Sequence, residues 1–580
     1  MLTKLTIRNF KRFSTAEIEL GNPVVFIGPN NSGKTTALQA MALWEVGLRR
    51  WNEKRGGKET ASKRPGVAIN RRDLIAVPVP DANLLWKDLH VRDVRRINGK
   101  PDTRNVRVDI IVEGVTQNTP WVCGLEFDYA NGESLFCRPL RISPVENPER
   151  MLVPEEACAT KVAFLPPMSG LADREFAKQP GEIGFLIGQG RTAEVLRNLC
   201  LQVLLSEPDG EAKWRAIADR IEGMFGITLN EPAYSEDRSE ITMTYRESTD
   251  APLDLSSAGR GVHQTLLLLA YLSVNPQSVL LLDEPDAHLE ILRQRQIYNV
   301  LSDAARERES QVVIASHSEV ILNEAAARDV VVAFVGRPHR LNDRPNQLLK
   351  ALKDIGFEDY YQAEQRGWVL YLEGSTDLAI LRALARKLHH TAAKDLESPF
   401  VHYIENQPFR ARDHFYDLLE AKPDLSGFLL NDRMDRAPLP AGALTETMWQ
   451  RREIENYLCQ PETLIAWAAA SAEETSPGPL FTPGLAETRR KLMDECIHEL
   501  VPPVALRNAS DVWWRNVKAS DEFLDRLFEI FFERLKLPNL MRKTNYHLLA
   551  TYVPETLIDP EISEKLDLLR ETALRATPLG

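Results

Sequence analysis

Hydrophobic and polar positions divide the chain into alternating strand and helix patterns. The N-terminal stretch "MLTKLTIRNFKRF" alternates apolar and polar residues as a half-buried strand does. Further on, short unbroken apolar runs, "VVFI", "VLLL", "VVIA", "VLYL" and "GFLL", read as strands buried on both faces of a sheet, and "VVFI" and "VLYL" are followed by a turn and a helical pattern. This order predicts an α/β protein. Gly336–Pro345, "GRPHRLNDRP", breaks the pattern with Gly, Pro and polar residues, so the first domain is expected to span residues 1–340, with a linker over 341–364 and a second domain over 365–580 that is helical towards its C-terminal end. At 580 residues the chain exceeds what one hydrophobic core supports.

Composition narrows the class. Charged residues make up 27% and hydrophobic residues 43%, ordinary values for a globular protein, and no run reaches the ~18 apolar residues of a membrane span. With no apolar leader at its start, the chain is expected to be cytoplasmic and without a membrane partner. The cysteines are scattered, with no Cys-x-x-Cys spacing, and are expected to be buried free thiols. A formal charge of −12 is not the overall signature of a nucleic-acid binder, so any phosphate contact must come from a local basic patch. The segment Arg49–Arg72, within a variable region over residues 45–160, offers one. It reads as a mobile insertion, either a solvated loop or a contact for nucleic acid through Arg49, Arg50, Lys54 and Arg55.

The first chemistry-bearing motif is "VVFIGPNNSGKTTALQAM", an apolar strand, then Gly28-Pro29-Asn30-Asn31-Ser32-Gly33-Lys34-Thr35-Thr36, then a helix. This is the phosphate loop G-x-x-x-x-G-K-[ST] in its strand-loop-helix context. Glycines let backbone N–H groups face phosphate oxygens, Lys34 supplies a cation and the Thr35 hydroxyl can ligate Mg²⁺. In "SVLLLDEPDAHLE" a buried strand ends at Asp283, placed to hold Mg²⁺, followed by Glu284, placed to polarise an attacking water. "QVVIASHSEVIL" supplies another apolar strand ending at His317, a residue able to sense the terminal phosphate. Between them, "LDLSSAGRGVHQTLLLLAYL" sets a Ser/Gly turn before an apolar helix, an anion site through its unpaired N–H groups.

This order resembles ABC-type ATPases of the branch containing DNA-repair and chromosome-maintenance heads. The resemblance implies ATP and Mg²⁺ as cofactors. It makes Ser257 and Gly259 the signature residues that close over the phosphate loop of a second chain, although Ala258 and Arg260 depart from the usual Leu-Ser-Gly-Gly-Gln. Asp286 falls in the loop after the acidic pair, and His317 matches the switch histidine. Because each motif occurs once, the resemblance implies a homodimer or higher homo-oligomer through these heads. Ala163–Glu175 corresponds to the segment that usually carries a glutamine, and has none.

A second acidic site lies beyond this domain. "VLYLEGSTDLAILRALARKL" sends a strand to Glu373, turns at Gly374 and opens a helix with Asp377 in its first turn and Ser375 or Thr376 as cap. "SGFLLNDRMDR" ends another strand at Asn431 and Asp432, with Asp435 close behind. Hard oxygen ligands of this kind suit Mg²⁺ or Mn²⁺ better than zinc. "RREIENYL" adds Glu453 and Glu455, which either join the site or face solvent at a helix start, and "MRKTNYHLLATYV" adds Arg542 and Lys543.

Together these resemble the Toprim fold, and the pairing of an ABC-type head with such a module resembles the OLD-family nucleases, whose relatives act in bacterial anti-phage defence. The resemblance implies a Rossmann-like Toprim domain in which Glu373, Asp377, Asp432 and Asp435 bind metal, Glu455 or Glu453 completes a second metal position, and Lys543 offsets charge on the transition-state phosphate. Met434 stands where that fold's Asp-x-Asp pattern has its second Asp. The function implied is an ATP-regulated nuclease acting on DNA or RNA, with a second defence protein as a further partner. A sensor or scaffold with a degenerate Toprim module, controlling a separate effector, is the alternative.

Overall fold

A computed structural model describes residues 1–55, 66–97, 100–142, 149–247, 251–326, 328–341, 355–404, 407–435, 442–475 and 482–578. The chain divides into two compact units, Met1–Leu349 and Lys350–Gly580.

In the first unit the short apolar runs form the interior of a six-stranded sheet. Its order is Val162–Leu165, Val279–Asp283, Gln311–Ser316, Val24–Ile27, Val330–Ala333 and His339–Arg340. All neighbours are parallel except the last pair. The alternating N-terminal stretch instead opens an antiparallel sheet, in which Leu2–Phe10 lies between Phe13–Glu19 and Val108–Thr116 and the order continues through Thr119–Asn131, Ser134–Pro139 and Val67–Asn70. The helix Lys34–Arg55 shares one apolar core with both sheets, burying Leu38, Met41 and Trp44 with Phe26, Leu125 and Phe127. Trp44 is fully buried, and its indole N–H donates to the Cys123 carbonyl at 3.0 Å, so its one polar atom is satisfied.

That helix changes the reading of the basic segment. Its buried face continues through Leu48 to Trp51, so helical spacing carries the chain to Arg55 where a mobile insertion is expected from residue 49. Arg49 pairs with Glu45 and Glu53 one turn away, and Arg50 reaches Asp73 at 2.7 Å. After the undescribed residues 56–65 the chain resumes as the strand Val67–Asn70 and a 3₁₀ turn, Arg71–Asp73. Where it is described, the expected loop is therefore regular structure in which Arg49, Arg50 and Arg71 are paired with acidic residues.

The second unit holds a four-stranded parallel sheet ordered Val401–Tyr403, Trp368–Leu372, Ser426–Asn431, Leu444–Met448. Both faces are covered, which explains the unbroken apolar runs. Trp368, Leu370, Leu372, Phe428 and Leu430 face the helix Ser375–Lys387 and the C-terminal helices. Val369, Tyr371 and Leu429 face Pro408–Ala421 and Phe357–Arg366. This last helix falls inside the expected linker over 341–364, of which 342–354 are not among the described residues. Phe357, Tyr360 and Ala363 recur on one buried face and Gly367 ends the helix in a left-handed conformation, an amphipathic pattern that the neighbouring break obscured. Among the described residues no helix is long and apolar enough to cross a membrane. The cysteines are free, and all but Cys158 are buried.

Candidate nucleotide and metal sites

In the first unit, the phosphate loop leaves Val24–Ile27 and ends in the helix Lys34–Arg55. Its bends need glycine. Gly33 has φ +109°, and a Cβ there would lie 2.6 Å from the Phe13 ring and 2.8 Å from Arg12, so the backbone comes closer than any side chain permits. Asn30 and Asn31 sit exposed at the tip, with Asn31 at φ +60°, and Thr36 lies half-buried as the third residue of the helix. Ser32 Oγ is buried with no protein partner, an orphaned polar atom in a loop whose ligand would be anionic. Lys34 is buried and donates to the carbonyls of Gly28 at 2.6 Å and Pro29 at 2.8 Å. Burial depresses its pKa, while Glu284, Asp283 and Asp286 pull it back up.

Thr35 Oγ1 lies 3.0 and 2.9 Å from the two carboxylate oxygens of Asp283. A hydroxyl facing a carboxylate across the loop is a hard-oxygen pair that fits Mg²⁺. Burial pushes Asp283 up to about 6, with Glu284 adding to the effect. Glu284 follows with φ +48°, a left-handed backbone held by its N–H donating to the Ala315 carbonyl at 2.8 Å. Its carboxylate stands 3.6 Å from His317 Nδ1. Strain at this position persists because the strand before it is locked by pairing, Asp283 lying opposite Ala315. Asp286 is buried behind them, raised by burial and hydrogen-bonded by Ser316.

The signature turn is shaped by its own local bonds. Asp254 Oδ1 accepts from the Ser256 N–H at 2.8 Å and from Arg197 at 3.0 Å, and His263 Nε2 meets the Leu255 carbonyl at 2.7 Å. Ser257 and Gly259 remain exposed before the helix Arg260–Val274.

In the second unit the carboxylates collect at one end of the parallel sheet. The strand Trp368–Leu372 pairs with Val401–Tyr403 on one side and Ser426–Asn431 on the other, so successive connections leave it in opposite directions. The carboxyl ends of Trp368–Leu372 and Ser426–Asn431 flank the resulting crevice, the place where open α/β sheets bind ligands. Glu373 follows the first strand and Asp432 the second. Gly374, rather than Ser375 or Thr376, is the helix cap residue. No hydroxyl caps this helix; instead Asp377 in the first turn accepts the N–H groups of Gly374 and Glu373. That bonding fixes its carboxylate toward the crevice.

Electrostatics records the convergence. Asp432 is raised far above the carboxylate range, first by burial, then by a hydrogen bond with Glu373 and the charges of Glu373, Asp377 and Glu455. Asp377 is pushed up to about 6 by burial and Glu373, and Glu455 to about 8 by burial, Glu453 and Asp377. Glu453 and Glu455 do not face solvent: both are buried, at 4% and 3% exposure, the first capping and the second lying within a 3₁₀ turn, Ile454–Tyr457. Glu453 accepts the Ser520 N–H and is raised by burial, with Lys543 and Lys518 opposing. Lys543 Nζ sits 3.4 Å from Ser520 Oγ. Asn431 is buried, and neither its amide oxygen nor its nitrogen has a partner. Hard carboxylates held beside unpartnered amide atoms fit one or more divalent cations. Asp435, by contrast, is exposed at the last described residue before 436–441.

Sequence reasoning did not find Lys518, Ser520 or Asp521. Lys518 pairs with Asp521 and is also drawn upward by Glu453 and Glu373. These residues form a π-helical turn, Ala519–Leu524, and its approach, and no spacing in the chain links them to Glu453.

Residues 207–323 match a family described as AAA domain, putative AbiEii toxin, Type IV TA system, and residues 1–45 match AAA ATPase domain. No curated protein matches. Similar solved structures include an SmcHead bound to the C-winged helix domain of ScpA, at 14% identity and TM-score 0.35, covering 59% of this chain and 98% of that one. An Smc head domain with an extended coiled coil, bound to the C-terminal domain of ScpA and derived from Pyrococcus furiosus, gives 13%, 0.34, 61% and 99%. The SMC head domain from Thermotoga maritima gives 13%, 0.30, 59% and 98%. The two family matches take in the phosphate loop and the acidic and histidine strands, whose residues the fold brings together, so at its nucleotide pocket the first unit is similar to AAA-type ATPase domains.

Proposed function

We propose that the chain is an ATP-regulated, divalent-metal-dependent nuclease of OLD type, acting on DNA or RNA in anti-phage defence. The observation that carries this reading is the crevice of the second unit, where Glu373 raises the pKa values of Asp377 and Asp432, and Asp377 raises those of Asp432 and Glu455. Uncompensated carboxylates at this density are costly unless cations complete them. Metal ions there would activate water and take up charge on a phosphodiester. Asp377 is oriented by its backbone bonds, Glu453 holds the Ala519–Leu524 turn, and Lys543 and Lys518 stand at the rim, where a phosphate would meet them. Mg²⁺ or Mn²⁺ suits the donor set. The match to a putative toxin family agrees with a role in defence, and a second defence protein fits as partner.

A sensor or scaffold is the second reading, favoured by Met434 and by Asp435 lying exposed. The two separate in one experiment. Pure protein is incubated with plasmid DNA or tRNA and Mg²⁺ or Mn²⁺, with and without ATP, beside Asp432→Ala and Lys34→Ala. We expect cutting by the wild type, its loss of at least about 100-fold in Asp432→Ala with ATP turnover retained, and loss of turnover in Lys34→Ala. Wild type that cuts nothing with either metal establishes the scaffold; turnover unaffected by Lys34→Ala removes the ATPase pocket from the regulation.

A further inference from the structure

On the other face of the second unit's sheet, away from the crevice helix, two histidines and an aspartate converge. Asp359 lies in the first turn of Phe357–Arg366, His402 in the edge strand Val401–Tyr403 and His414 in Pro408–Ala421. Asp359 Oδ2 is 3.1 Å from His414 Nε2 and 3.8 Å from His402 Nδ1. Among the described residues this is the one trio of metal-type donors whose atoms all lie within 4.8 Å of one another. Ligands held tetrahedrally at zinc distances stand about 3.3 Å apart, so the donor atoms are already near that spacing, although the His402 ring, stacked on His414, must tilt out of parallel to share an ion.

The geometry points to a transition-metal site, suited to Zn²⁺, with Asp359, His402 and His414 as ligands and the remaining position open to water. Three features carry it. First, the donors are imidazole nitrogens with one carboxylate, a set that selects Zn²⁺, Co²⁺ or Ni²⁺ and not the Mg²⁺ suited to the all-oxygen crevice. Second, His414 is oriented from behind: the fully buried Tyr371 places its hydroxyl 2.8 Å from His414 Nδ1. With the proton on Nδ1 donated to Tyr371, the Nε2 lone pair points where Asp359 points, the outer-shell arrangement metal-ligating histidines use. Third, His402 brings Nδ1 to 3.8 Å from Asp359 without a hydrogen bond, and its ring, stacked on His414 at 4.1 Å and 18° in the ion-free arrangement, is the one that would tilt to bring both nitrogens onto an ion. A hydrogen-bonded chain from Tyr371 through His414 to Asp359 explains His414 alone. It leaves unexplained why a second imidazole nitrogen faces the same carboxylate oxygen.

Bound there, the ion would tie the helix Phe357–Arg366 to the sheet edge and to Pro408–Ala421. The site does not depend on nuclease activity. The test uses the full chain, stripped with chelator and kept in excess Mg²⁺ so that the crevice is occupied. It is titrated with Zn²⁺ by calorimetry and with Co²⁺ by visible absorption. We expect one Zn²⁺ per chain, intense d–d bands of a low-coordinate Co²⁺, at least about ten-fold weaker binding in His402→Gln and His414→Gln, and unchanged binding in Asp432→Ala. His402 is the more exposed of the pair, so its variant carries the test if His414→Gln does not fold. Absence of Zn²⁺ binding, or binding that survives His402→Gln, or binding lost in Asp432→Ala, overturns the assignment and leaves the hydrogen-bonded chain.

Discussion

Asp109 is an example of charge placed where the fold makes it expensive. It is 8% exposed, with one carboxylate oxygen unpartnered, and is pushed up to about 6 by burial first and then by Glu126. Arg8 and Arg107 oppose this, but Arg8 is 4.0 Å away and half exposed. Since the folded pKa lies above the unfolded one, the native state holds the proton longer. Stability associated with this group is therefore lost as pH rises from about 4 to about 6, by on the order of 3 kcal/mol. Asp109→Asn should be no more stable than the wild type near pH 4 and more stable near pH 7, as followed by urea unfolding at the two values. A difference that does not change with pH would mean Arg8 and Arg107 fully compensate the charge. Nothing in the local sequence "RVDIIVE" marks Asp109 as different from any outward-facing strand residue. The cost arises first from burial in the sheet and then from Glu126 and Asp128, which register places on the paired strand.

Among the elements, the 3₁₀ turn Ile454–Tyr457 assigns its two glutamates different work. Glu453 binds the N–H of Ser520 and anchors the Ala519–Leu524 turn, while Glu455 is buried against Asp377 and Asp432 with a pKa of about 8. Removing Glu453 orphans a buried donor, a loss of about 1–3 kcal/mol. Removing Glu455 relieves repulsion. Glu453→Ala should therefore lower the thermal midpoint of metal-free protein by several degrees, whereas Glu455→Gln should hold or raise it and still weaken Mn²⁺ binding. Equal midpoints for the two variants would show that both glutamates serve only the crevice. The motif "RREIENYL" reveals that acids are present, but both spacings are compatible with solvent-facing and buried arrangements. Partners from Ser520 and Lys543 decide it.

At the scale of the whole molecule, the proposed ATP-dependent pairing of heads makes a demand on the surface. Ser257 and Gly259 are exposed, and beyond the loop carrying Asp286 and His288 the helix Ile291–Glu307 begins with Ile291 and Leu292 at 70% and 75% exposure. Adjacent large apolar side chains beside a nucleotide pocket are suited to burial against a second copy. In a Glu284→Gln background, which slows turnover and holds ATP, sedimentation should show an ATP-dependent dimer. Adding Ile291→Asp and Leu292→Asp should weaken that dimer by about ten-fold or more without affecting ATP binding by the monomer. A dimer indifferent to both changes places the contact elsewhere.

The phosphate loop, the Asp283–Glu284 pair and the strand-turn-helix around Glu373 were legible because each is local: a few neighbouring residues dictate the backbone path, and the chemistry follows from it. Helix bounds at Arg55 and Phe357–Arg366 were not, since Arg49, Arg50 and the Gly-rich surroundings suggest loop until Trp51, Phe357 and Tyr360 find a core to bury in. The sequence by itself determined that the chain has two acidic sites on strand ends, one beside a phosphate loop. Only the tertiary structure decided which carboxylates share a crevice, that Asp435 stands exposed while Glu455 is buried, and that His402 and His414 face Asp359. Those outcomes depend on parallel-strand order and on contacts between residues far apart in the chain, which no local spacing encodes.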